Sequence, residues 1–173
     1  MKTYVVLFRG INVGGSNILP MKQLTSMLEK NNYKEVKTYI QSGNVVLSSK
    51  NKPDNDISSI IQNEFGFKPV TIALEESEFI SAINSNPYGS TEGKIIHFYF
   101  CKNTPKVDLE KISKLRSKSE EYYTEGKVFY LYAPNGIGRS KLVANIDSCL
   151  GVPVTGRNLN TINKLQKMLK NHA

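Results

Sequence analysis

The chain has 173 residues, 39% of them hydrophobic and 22% charged, with a formal charge of +8. This length accommodates one large domain or two small ones, and no apolar run approaches the roughly 20 residues of a membrane helix. The apolar part of MKTYVVLFRG is short and runs into Arg9 without a small-residue cleavage site, so a cytoplasmic protein that engages no membrane is expected rather than a secreted one.

Val5 to Phe8 lie in a β-branched and aromatic run that predicts a strand. Pro20 suits a first helical turn, and Leu24, Met27 and Leu28 supply a helical stripe ending near Asn31. VKTYIQSGNVVLSS reads as two strands joined around Ser42-Gly43-Asn44. Pro53-Asp54 opens a helix with Ile57, Ile60, Ile61 and Phe65 on one face, and KPVTIAL is a further strand. Ser77 is expected to cap a helix bearing Phe79, Ile80 and Ile83, ahead of the turn-rich NSNPYGSTEG.

The order then recurs. KIIHFYFC is a strand, Thr104-Pro105 is expected to open a helix with Leu109, Ile112 and Leu115, and EEYYTEGKVFYLY is a hairpin turning at 125–127. Ser140 caps a predicted helix carrying Leu142, Ile146, Cys149 and Leu150, VPVT is a short strand, and Asn158 caps a last helix with Leu159, Ile162, Leu165 and Leu169. The expected fold is α+β: two tandem ferredoxin-like (βαββαβ) units with antiparallel sheets, plus an extra helix between the units and another at the C-terminus. The division falls at 86/87, giving units of 1–86 and 87–173. In that topology the exit of strand one and the hairpin between strands two and three share one end of the sheet, so RGINVGG and QSGN should meet. The exits of strands three and four share the other end, which in the second unit gathers APNGIGRSK and TGRN.

FRGINVGGSNILPM, TYIQSGNVVLSS, GIGRSKL and TGRNLNTINKL, in this order and spacing, resemble the bacterial Domain of Unknown Function family 1697 over nearly the whole chain. The resemblance implies an α+β fold with ferredoxin-like halves and brings no activity with it.

The charge is uneven: residues 1–85 carry 9 Lys/Arg against 8 Asp/Glu, and residues 86–173 carry 14 against 7. A basic half points to an anionic partner, although KVDLEKISKLRSK and NKLQKMLKNHA also read as solvated helix faces. Gly14 and Gly15 allow positive φ, the requirement of an anion nest, and Arg9 adds a bidentate fork. The spacing fits neither a Rossmann nor a Walker loop, and a plain turn held by Asn12 and Asn17 competes with ligand contact. Gln41, Ser42 and Asn44 are ligand candidates on the neighbouring hairpin. Arg139, Ser140 and Lys141 stand at one helix start, and Arg157 with Asn158 at another. The expected function is recognition of an anionic small molecule or nucleotide in a polar Gly/Arg/Asn loop cleft, with no cofactor and no metal.

The alternative is nucleic-acid binding on the second half, with tyrosines of HFYF and VFYLY, Tyr99 and Tyr130 among them, stacking on bases. Packing of that face is the competing reading. Catalytic signatures are sparse: His97 reads as structural, and Cys101 and Cys149 read as reduced packing residues.

Overall fold

The computed structural model describes residues 1–90 and 92–172. It is a mixed α+β chain with two antiparallel four-stranded sheets and, among the described residues, seven helices. By packing the chain forms two compact units, one of residues 1–81 with 164–172 and the other of residues 82–163. The division expected at 86/87 therefore differs at two places: 82–86 group with the second unit, and the C-terminal residues from Lys164 group with the first.

The first unit runs β1 (Lys2–Arg9), α1 (Met21–Lys30), β2 (Lys34–Tyr39), β3 (Asn44–Ser49), α2 (Asp54–Phe65) and β4 (Val70–Glu75), and α3 (Glu76–Asn84) follows. Its sheet order is β2-β3-β1-β4. The middle of β1, Tyr4 to Phe8, is a continuous buried apolar run because both of its faces are covered. On one face Val6, Phe8, Val45, Leu47 and Ala73 pack with Leu24, Met27 and Leu28 of α1 and Ile57 and Ile61 of α2. The helical spacing of those residues puts their side chains on the inward stripe. On the other face, Lys164 Nζ stands 5.7 Å from the Tyr39 ring centroid and His172 Nε2 lies 2.9 Å from Ser48 Oγ. Tyr39 pairs with Asn44, so these contacts lay the chain end along the Asn44–Val46–Ser48 face.

The second unit runs β5 (Ile96–Cys101), α4 (Leu109–Leu115), β6 (Glu121–Glu125), β7 (Val128–Tyr132), α5 (Lys141–Ala144), α6 (Ile146–Leu150) and β8 (Val154–Asn158), with α7 (Leu159–Lys170) after it. The sheet order is β6-β7-β5-β8. Tyr99, Cys101, Phe129 and Leu131 pack against Ile112, Leu142, Ile146, Cys149 and Leu150.

Four predicted details differ here, each for a local reason. The segment after Thr104-Pro105 is extended: Lys106 N–H donates to Leu150 O (2.9 Å) and Asp108 N–H to Cys149 O (2.8 Å), so the helix waits until Leu109. Asp108 is its cap, accepting from Lys111 N–H (3.0 Å). The helix expected after Ser140 breaks at Asn145, whose side chain donates back to Lys141 O (2.8 Å) and competes with the backbone ladder. Ser77 lies inside α3 rather than capping it; Glu78 Oε1 accepts Glu75 N–H (3.0 Å) at that entry. The short VPVT strand extends through TGRN, because Gly156 lets β8 stay paired against Tyr99. A Cβ there would sit 2.5 Å from Tyr99 Cε1.

Candidate functional site

In the first unit the expected loops do meet. Phe8 N–H donates to Gly43 O (3.0 Å), joining the end of β1 to the β2–β3 turn. Asn12 then clamps three segments: Oδ1 accepts Leu19 N–H (2.7 Å), while Nδ2 donates to Leu19 O and Gln41 O (both 2.9 Å). Gly43 has φ +96°, and a Cβ there would stand 2.7 Å from Ile11 Cδ1 and 2.9 Å from Phe8 Cβ. Only glycine satisfies both demands.

The Gly14-Gly15 pair forms the tip of a small hairpin, with Ser16 N–H donating to Val13 O (2.9 Å). Positive φ at both glycines, 56° and 76°, suits a type I′ connection. Asn17 Nδ2 donates to Gly10 O (2.9 Å), and Asn44, fully buried, donates to Tyr39 O (3.0 Å). The asparagines of this end are thus joined to backbone groups of the same loops. Arg9, Gln41 and Ser42 are exposed beside them, as are the apolar Val13, Ile18 and Ile40. Ile40 adopts φ +51°, a left-handed conformation that costs a β-branched residue about 1–2 kcal/mol.

The second unit contains a cavity of about 560 Å³ between the turn from α4 to β6 and the loop from β7 to α5. Arg139, Ser140 and Lys141 line it, facing Lys114, Arg116, Ser117 and Ser119. At its wall sits Glu120, 4% exposed. Glu120 Oε1 accepts Ser117 N–H (2.8 Å) and Oε2 accepts the Ser140 hydroxyl (2.6 Å). Ser140 Oγ in turn accepts Val143 N–H (3.1 Å), capping α5. One carboxylate therefore ties both walls together. Lys114 pairs with Glu110 at 3.2 Å, whereas Arg116, Arg139 and Lys141 have no ion-pair partner among the described residues.

Arg157 and Asn158 do not line this cavity. Both belong to β8: Arg157 pairs with Phe98, and Asn158 accepts Thr161 N–H (3.0 Å) to cap α7. Arg157 is half-buried, donates to Gly156 O (2.8 Å), and burial lowers its guanidinium to about 10, still charged at neutral pH. GRSK consequently joins the RSKSE stretch at 116–120 instead of TGRN. The extended length of β8 separates the two, since Arg157 is held in the sheet.

The tyrosines expected to form a stacking platform are divided between faces. Tyr99 pairs with Phe129, and Phe98 with Tyr130, so Tyr99 and Tyr130 point to opposite sides of the sheet. Both are buried, and Tyr130 donates its hydroxyl to Ala82 O (2.5 Å). His97 is buried with Nε2 unpartnered, and desolvation lowers its pKa. Cys101 and Cys149 are free and buried; burial pushes the Cys101 thiol up to about 11 and the Cys149 thiol up as well, which makes both poor nucleophiles. Among the described residues no group of three or more His, Cys, Asp or Glu is placed to hold a metal, and no helix is long and apolar enough to cross a membrane.

Sequence reasoning missed Lys114, Arg116, Ser117, Ser119 and Glu120. Their signal was the alternation of cations and serines in KLRSKSEE, which also fits a solvated helix end. A second cavity, about 690 Å³, at the start of β2 in the first unit is lined by Lys34, Lys50 and Lys52. There Asp56, which accepts the Tyr33 hydroxyl, offsets part of the charge at an exposed rim.

A family described as "Protein of unknown function (DUF1697)" matches residues 1–130. The chain is similar in structure to conserved bacterial protein SP0830 from Streptococcus pneumoniae, with 23% sequence identity and a TM-score of 0.68 over 97% of this chain and 98% of that one. No curated protein matches it.

Proposed function

The chain belongs to this family, DUF1697, and we propose that it binds an anionic ligand, phosphorylated or nucleotide-like, in the second-unit cleft. The observation that carries this reading is the set of three cations lining one cavity, Arg116, Arg139 and Lys141, that have no ion-pair partner among the described residues. Two guanidinium forks and an ammonium suit phosphate oxygens, which accept bidentate hydrogen bonds from Arg. Arg139 and Lys141 flank a Ser that is already oriented by Glu120, so the cleft's shape does not depend on the ligand to hold it.

We further read each unit as a ferredoxin-like fold. The β2-β3-β1-β4 and β6-β7-β5-β8 orders, with helices after the first and third strands, support that description. A cytoplasmic location is supported by two free, buried cysteines.

Nucleic acid is the second reading, favoured by 14 basic against 7 acidic residues in 86–173. With Tyr99 and Tyr130 buried, it would rest on backbone charge and show a steep salt slope. The experiment is a thermal-shift titration with nucleotides, phosphorylated metabolites and short oligonucleotides at two salt concentrations. Stabilisation by small phosphorylated compounds, weakened about tenfold in affinity by Arg139→Ala with Lys141→Ala, is expected. Stabilisation by long polyanions alone would reject the cleft reading.

A further inference from the structure

The cleft is not uniformly cationic, and the exception narrows the ligand. Glu120 is buried, and it lines the same cavity as Arg116, Arg139 and Lys141. Its two oxygens each accept one hydrogen bond, from Ser117 N–H and from the Ser140 hydroxyl. An ionised carboxylate has about four acceptor positions, so each oxygen keeps one. A bare anion such as inorganic phosphate is repelled by this group and offers it few donors. A ligand carrying hydroxyls beside its phosphate meets both halves of the wall: oxygens for Arg116, Arg139 and Lys141, and a donor for Glu120.

We propose that the cleft selects a phosphorylated sugar or polyol, with its phosphate on the three cations and a hydroxyl donated to Glu120. This rests on the anion-binding reading of the same cleft. The Ser117 and Ser119 hydroxyls, 3.2 Å apart, and the Asn135 amide, which donates to Ser119 Oγ (3.0 Å), extend the polar wall next to Glu120 and suit further hydroxyls. A ligand that donates to the remaining acceptor position of a Glu120 oxygen gains a bond to a carboxylate that a ligand without a donor does not make.

The test is calorimetric titration of the full chain with glucose 6-phosphate, glycerol 3-phosphate, glucose and inorganic phosphate. The wild-type protein should bind at least one of the two phosphorylated compounds about tenfold more tightly than inorganic phosphate, and glucose weakly. Glu120→Gln should reduce that preference to about threefold or less while inorganic phosphate binds as well or better. Its far-UV spectrum and melting temperature report whether it folds, and the wild-type comparison decides independently of any variant. Inorganic phosphate binding as tightly as both phosphorylated compounds overturns the selectivity while leaving the anion site intact. Phosphate binding unchanged by Arg139→Ala with Lys141→Ala overturns the anion site itself, and so does failure of every phosphorylated probe to bind at 10 mM, roughly the weakest affinity such a cleft would give.

Discussion

The loop end of the first unit and the cleft of the second are both rich in Gly, Ser, Asn and Arg, yet they use these residues differently. In the first, Asn12, Asn17 and Asn44 direct their side chains at backbone groups of neighbouring loops, and the Gly pair completes a two-residue turn. In the second, three cations around a cavity have no ion-pair partner among the described residues. The first unit's asparagines fix one end of a sheet. The second unit's cations are the ones that the proposed ligand would use. A polar loop is therefore better judged by which groups remain unsatisfied than by how polar it is.

The largest expected effect breaks the first side of this comparison. Asn12→Ala removes the side-chain hydrogen bonds to Leu19 and Gln41 and leaves Leu19 N–H without its acceptor, so chemical denaturation should show a loss of about 2–4 kcal/mol. Anion affinity in the second unit should be unchanged. A loss below about 0.5 kcal/mol, the range of ordinary surface changes, would mean that the clamp is not what orders this end.

The next effect concerns pH. Burial lowers the His97 pKa below its ordinary 6.5, so between that value and the lower folded one the unfolded chain binds more protons than the folded chain. Stability should be full above pH 6.5 and fall as the pH drops toward the folded value. His97→Gln should flatten that part of a melting-temperature profile taken between pH 7 and 4.5. An unaltered profile would place the titration elsewhere.

The smallest effect is a gain. Ile40→Asn replaces a β-branched side chain held at φ +51° by a residue that tolerates this conformation, and should add about 1 kcal/mol. A decrease in melting temperature would show that the half-exposed Ile40 side chain holds the turn by packing.

Much of the frame was legible in the sequence because it depends on periodicity. The TYVVLF run, the Leu24/Met27/Leu28 stripe and the turn at Gly43 each follow from local preference, and the meeting of RGINVGG with QSGN follows from strand order. The misreadings came from tertiary pairing. Residues 105–108 look helical from Pro105 onward but pair with the end of α6, and Arg157 looks like a loop cation but is held in β8 by partners from β5. Arg139, Ser140 and Lys141 could be singled out from their helix-start context. The opposite wall could not, since Arg116 to Glu120 acquire their meaning only when Glu120 folds under Ser140.

Backbone amide NMR of the full chain during titration with glucose 6-phosphate locates the ligand most directly. Shifts confined to residues 114–120 and 135–141 are the expected result. Shifts concentrated in residues 9–19 and 40–44 would contradict it, and would return the site to the first unit's loops.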